Sequence, residues 1–227
     1  MSRSIPTRFR TGAVFAVLAL LVASCTTPND ERGGEPTSTT GATTPTVPAE
    51  FSGYVRTPLV DVSSVTLPTV DDAPVEMVAE PDGLLLVFFG YATCPDVCPM
   101  TLTLLKSAVA QQDAADRERV QVAMITIDPT RDTPEVFGAY LAQYFPDGLA
   151  LRSDEPADLR AAADAFGANY EIRMTREGKR EVSHSDDLYV VDDTGKIVLT
   201  WSYGLSPEAV TSDLGRLLAG DRPDPET

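Results

Sequence analysis

Along the chain, uninterrupted apolar runs alternate with stretches whose apolar residues recur every three or four positions. Residues 84–89 (LLLVFF), which follow Pro81-Asp82-Gly83, and residues 120–127 (VQVAMITI), closed by Asp128-Pro129, have the length and composition of strands covered on both faces. Between them, residues 100–112 place Leu102, Leu105 and Val109 on one helical face, with Pro99 as the start of the regular helix. A second helix is predicted over residues 134–145, with Thr133 as N-cap and Val136, Phe137, Tyr140, Leu141 and Tyr144 on its apolar side. A third is predicted over residues 155–166 and is stopped by Gly167. Residues 188–191 and 197–201, joined by Asp192-Asp193-Thr194-Gly195, read as a hairpin, and residues 206–218 as the terminal helix. Upstream, residues 59–62 and 65–67 suggest a small N-terminal hairpin.

Composition narrows this picture. With 227 residues, 43% hydrophobic and 23% charged, the chain suits one sizeable α/β domain with appendages and is too polar for an integral membrane bundle. A formal charge of −16 leaves little basic surface to displace counterions from phosphates, so nucleic acid is excluded as a partner. Three cysteines and one histidine are too few for a disulfide scaffold or a multi-ligand zinc cluster. Arg3, Arg8 and Arg10 precede an uncharged apolar run, residues 12–23, well short of the ~20 residues a spanning helix needs; residues 1–24 read as a secretory signal. The run ends in Val22-Ala23-Ser24-Cys25, which resembles the lipobox of bacterial lipoproteins. That resemblance implies cleavage before Cys25, acylation of its thiol and an exported protein anchored by lipid to the outer face of the bacterial cytoplasmic membrane. Ordinary signal cleavage, with Cys25 incidental, is the alternative. Residues 25–50, rich in Thr, Pro, Ser and Gly, read as a disordered tether reaching about 25 to 30 Å. Residues 51–221 read as the folded domain and residues 222–227 as a disordered tail.

The candidate chemistry lies where the first apolar run meets its helix, in Gly90-Tyr91-Ala92-Thr93-Cys94-Pro95-Asp96-Val97-Cys98-Pro99. Thiols at a helix N-terminus meet unpaired amides and the positive end of the dipole, which favours thiolates. Residues four apart in a helix-like turn lie on one face, so Cys94 and Cys98 can share a soft ion or bond to each other. His184, the only histidine, lies in a predicted loop just before the strand at Leu188. The element order, with a central mixed β-sheet flanked by helices on both faces, is that of a thioredoxin-like α/β fold, in which this loop closes against the start of the first helix. Two thiolates and one imidazole form a soft, low-coordination set suited to Cu(I). Zinc would require a fourth ligand, for which Asp132 or Asp187 is available. Asp128 and Asp132, beside a strand end and a helix start, also read as caps.

Taken together, Phe89-Gly90-Tyr91, Cys94-Pro95-Asp96-Val97-Cys98-Pro99, the stretch from Ile127 through Asp128-Pro129 and Asp132-Thr133-Pro134, and Ser183-His184-Ser185 resemble the SCO/SenC proteins over roughly residues 55–219. The resemblance implies a thioredoxin-like domain holding one copper through Cys94, Cys98 and His184, with the donor set suited to Cu(I) and retention of Cu(II) left open. It further implies delivery of that copper to the CuA site of cytochrome c oxidase subunit II or another copper-requiring acceptor, or reduction of the acceptor's thiols. Ala92 stands where the family often has threonine. Two other readings use the same residues. A thiol-disulfide oxidoreductase would attack with Cys94 and resolve with Cys98, and a non-catalytic module would simply bury a Cys94–Cys98 disulfide. A peroxiredoxin is disfavoured, because the Pro-x-x-x-Thr-x-x-Cys pattern is absent.

Overall fold

The computed structural model describes residues 50–223. The leader expected over residues 1–24, Cys25, the tether save for Glu50, and residues 224–227 lie outside them. In chain order the elements are β1 (Val60–Asp61), β2 (Thr66–Pro68), β3 (Pro74–Glu76), β4 (Leu84–Gly90), α1 (Val97–Ala110), α2 (Ala114–Arg117), β5 (Val120–Thr126), α3 (Pro134–Ala142), β6 (Leu149–Leu151), α4 (Pro156–Phe166), β7 (Tyr170–Met174), β8 (Arg180–His184), β9 (Leu188–Val191), β10 (Lys196–Trp201) and α5 (Pro207–Leu218).

The two apolar runs form the centre of the sheet. β4 pairs with β5 in parallel, from Leu84 opposite Val120 to Gly90 opposite Thr126. Every residue of β4 is buried, which requires cover on both faces. β6 extends the parallel part, while β9 joins the other side of β4 antiparallel, giving a six-stranded mixed sheet in the order β1-β10-β9-β4-β5-β6. This is the thioredoxin-like arrangement. The helix signals act as read: Thr133 accepts the Val136 amide at 3.3 Å, Ser206 accepts that of Ala209 at 3.2 Å, and Gly167 ends α4 with φ of 66°.

Four expectations are corrected. α1 begins at Val97, not Pro99, because the first helical turn tolerates a proline whose missing N–H has no intrahelical partner. Cys98 is therefore inside the helix while Cys94 stays in the loop before it. α3 stops at Ala142, where the chain turns back on itself with the Tyr144 amide on Leu141 O at 3.0 Å. Residues 59–62 and 65–67 do not pair with each other. Val60 and Asp61 take the open edge of β10, and Thr66–Pro68 pairs with Pro74–Glu76. The tight turn that receives β1 needs a glycine at 195, since φ is +74° and a Cβ there would lie 2.5 Å from the Ser63 Cβ. Finally, residues 170–184 form the separate hairpin of β7 and β8, so His184 ends a strand instead of lying in a loop.

The N-terminal segment is fastened to the sheet through one buried carboxylate. Asp213 of α5 accepts the amides of Ser52 and Gly53 at 3.0 Å and the indole N–H of Trp201 at 2.9 Å. Asp213→Ala strips all three donors of their acceptor, and about 3 kcal/mol of stability should disappear in urea unfolding followed by Trp201 fluorescence. A loss under about 0.5 kcal/mol would show that the clamp contributes nothing to the fold.

Candidate metal centre

The site forms where β4 runs out of the sheet. Gly90 closes the strand because a Cβ there would lie 2.9 Å from the Cys98 sulfur and 2.8 Å from Phe88 and Met124 side-chain atoms. Its lack of a side chain lets the thiol settle against the strand end. The loop that follows is held by Asp132, whose carboxylate accepts the Ala92 amide at 3.2 Å and the Thr126 hydroxyl at 2.6 Å. Asp132 is thus not a helix cap, since Thr133 has that role. It joins the cysteine loop to the end of β5, and its burial raises its carboxyl above the usual value against the pull of those hydrogen bonds.

The two thiols have different surroundings. Cys94 is half-buried, and its Sγ accepts the backbone N–H of Cys98 at 3.4 Å, so the helix N-terminus serves Cys94. Cys98 is fully buried, and desolvation, with a further contribution from hydrogen bonding to Cys94, pushes its thiol far above the ordinary value of 9.0. The expectation that the helix start would favour thiolates fails for Cys98. It lies one position inside the helix against apolar neighbours, and removal from water outweighs the dipole. Both cysteines are free.

His184 arrives on the β7–β8 hairpin. Tyr170 is its cross-strand partner, and at the hairpin base the Ser185 amide donates to Asn169 O at 2.8 Å. The imidazole packs edge-on against Phe88 at 6.2 Å and Tyr91 at 5.9 Å between centroids. Its Nδ1 lies 2.7 Å from Ser185 O, which selects the tautomer protonated at Nδ1 and leaves Nε2 with a free lone pair. The other end of β8 is held by Arg180, which donates to Asp128 from Nη2 at 2.5 Å and from Nε at 3.2 Å. Arg131 binds the same carboxylate, and its guanidinium lies over the Tyr91 ring at 5.5 Å. Asp128, fully buried, is therefore a shared anion for two arginines, not a cap.

These elements bring the ligand atoms of Cys94, Cys98 and His184 within 4.8 Å of one another. Neither acid considered as a fourth ligand joins them. Asp132 is engaged as described, and Asp187 accepts the Tyr54 and Ser202 hydroxyls at 3.1 and 3.2 Å. Among the described residues the cluster consists of two sulfurs and one imidazole, a set that suits soft, low-coordinate ions better than a closed tetrahedral site. Sequence reasoning quoted Gly90 and Tyr91 as motif positions without giving them a role, gave none to Arg131, and did not single out Arg180. Arg131 has a local signal, three residues after Asp128, but Arg180 is 52 residues away and has none.

A thioredoxin-like domain with a dithiol–imidazole cluster at the head of its first helix defines the class. The family model described as SCO1/SenC matches residues 69–219, and the chain belongs to that family. It is 33% identical to protein SenC of Rhodobacter capsulatus over 134 residues, covering 59% of each chain. The matches span 54% to 62% of the length of the first curated relatives. Among solved structures, apo Sco1 of Thermus thermophilus is 34% identical with a TM-score of 0.63, covering 75% of this chain and 96% of that one. ScoI of Bradyrhizobium japonicum with copper bound is 27% identical with a TM-score of 0.58, covering 67% and 96%.

The raised Cys98 pKa makes stability of the metal-free protein depend on alkali. The folded state keeps a proton that the unfolded chain gives up near 9, so this contribution is complete below that value and is lost as pH climbs above it. Between pH 7.5 and pH 10 the wild-type chain should lose about 1.4 kcal/mol more than Cys98→Ala, read from urea midpoints at both pH values. Identical losses in the two proteins would refute the assignment.

Proposed function

We propose that this chain is an exported copper metallochaperone, tethered to the membrane by lipid on Cys25, that holds one copper through Cys94, Cys98 and His184. Its cargo goes to the CuA site of cytochrome c oxidase subunit II or a comparable copper-requiring acceptor. The observation that carries this reading is the convergence of two sulfurs and an imidazole within 4.8 Å, from positions separated by most of the domain. The copper-bound relative at 27% identity supports the choice of metal. Among the described residues no helix is long and apolar enough to cross a membrane.

The chemistry follows from the three donors. Cu(I) favours thiolates and tolerates two or three ligands, so Cys94, Cys98 and neutral His184 satisfy it without closing the coordination sphere. Loading requires the Cys98 proton to leave, so uptake is coupled to proton release and strengthens with pH. Cys94, half-exposed, is the sulfur an incoming thiol can approach, which permits transfer by stepwise ligand exchange. The same three donors accommodate Cu(II), with imidazole as its harder ligand.

The purified reduced chain should take up about one Cu(I), and Cys98→Ser or His184→Ala should weaken binding by about a hundredfold or more in competition with a Cu(I) chelator. Undiminished affinity in both variants would remove the copper reading.

One observation favours a second activity. The half-exposed Cys94 beside the buried, free Cys98 is the asymmetry of an attacking and a resolving thiol. Cys94 would attack an acceptor disulfide to form a mixed disulfide, and Cys98 would then displace the acceptor. Two electrons pass to the acceptor and a Cys94–Cys98 disulfide remains. In cells lacking the protein, added copper should restore the acceptor's CuA site if delivery is the main role. An acceptor disulfide that persists despite added copper, together with capture of the acceptor by Cys98→Ser in metal-depleted cells, would instead assign it reduction.

A further inference from the structure

Beside the cluster lies a cleft that neither the metal reading nor the core accounts for. Its volume is about 180 Å³, and Met100, Leu104, Leu188, Trp201, Tyr203 and Leu205 are among its apolar lining. Met100 and Tyr203 are 50% and 47% exposed, and the Tyr203 hydroxyl approaches the Met100 sulfur at 3.9 Å, so two large apolar side chains face solvent together. Met100 stands two residues beyond Cys98, and Asp186, on the opposite lip, two residues beyond His184. The cleft is thus bordered by the two chain segments that carry Cys98 and His184.

The surroundings restrict the occupant. No lysine or arginine lines the cleft, whereas Asp186 does. Asp187 reaches the adjoining Ser202 at 3.2 Å, and exposed Asp96 and Glu208 stand at the starts of α1 and α5. An apolar floor inside an acidic rim attracts basic segments and repels anionic ones. A second copy of this chain, with a net charge of −16, and an anionic lipid surface both have the wrong sign. An apolar volume of roughly 150 Å³ accommodates a benzene-sized group, so one aliphatic, thioether or aromatic side chain fits.

We propose that this cleft is the docking site for the copper acceptor, taking a segment of it that presents one apolar side chain between basic residues. The proposal rests on the delivery reading for the identity of the partner. Docking there would bring the acceptor's ligands towards the half-buried Cys94 and raise their effective concentration at the site.

The test uses the full chain and a fluorescently labelled heptapeptide with a central leucine flanked on each side by three arginines. Binding should weaken about tenfold or more when the leucine is replaced by serine, vanish when glutamates replace the arginines, and decline with added salt. Tyr203→Ser and Met100→Gln, both at exposed positions, should each weaken the peptide by about fivefold or more while copper uptake stays at that of the wild type. Unchanged peptide affinity in both variants, indifference to the central leucine, or cleft-dependent binding of phosphatidylglycerol vesicles in its place would overturn the proposal. Failure of the wild-type chain to take up copper would instead count against the delivery reading, because the peptide measurement does not involve the metal.

Discussion

The cluster depends on a buried negative charge that contributes no ligand. Asp128 is fully buried and compensated by Arg131 and Arg180 together. Removing one partner of such a group costs several kcal/mol, because the remaining charge has no water to return to. One arginine belongs to the loop after β5 and the other to β8, so the carboxylate fixes the hairpin relative to the central sheet. Arg131 also covers Tyr91, which packs against His184 in a T-shaped contact. The imidazole is therefore positioned from two sides by contacts that share one anion.

That dependence matters because, besides this carboxylate, the hairpin is held mainly by half-buried packing of Tyr170 and Val182 on the core and by Arg160 on Tyr170. β7 and β8 pair only with each other, in a two-stranded sheet of their own, and their side chains are at most half-buried. A hairpin of this kind is marginal in isolation, and its placement comes from its attachments. Cys94 and Cys98, by contrast, are set by the strand–helix junction of the core, with Gly90, Ala92 and Thr126 all engaged around them. The dithiol is set by the core, and the imidazole by a peripheral hairpin.

Much of this was legible from the chain because the governing signals are local. Continuous apolar runs marked β4 and β5, and Thr133, Gly167 and Ser206 marked helix ends through their own side chains or backbone. The spacing of Cys94 and Cys98 and the single histidine identified the cluster. What was missed is what distant groups decide. β7 alternates Tyr170, Ile172 and Met174 with polar residues, but β8 offers one apolar side chain, Val182, among Arg180, Glu181 and Ser183, too little to announce a strand, and His184 was assigned to a loop as a result. Asp128 and Asp132 looked like caps because capping is the local use of an aspartate near a helix start. Their partners, Arg180 and Ala92, lie 52 and 40 residues away. The thiolate expectation failed for the same reason, since the helix start is visible in sequence and the burial of Cys98 is not.

The asymmetry between the sulfurs connects these features to function. A site made of two exposed thiolates would load readily but would also oxidise or exchange with any passing thiol. A site made of two buried thiols would resist loading. Here the helix amide faces Cys94, at the surface, while Cys98 keeps its proton until a metal displaces it. Under the proposed delivery this asymmetry would give exchange a direction, with a partner meeting the half-buried Cys94 before the fully buried Cys98. The acidic character of the chain favours approach of cations and of basic partners over anionic ones.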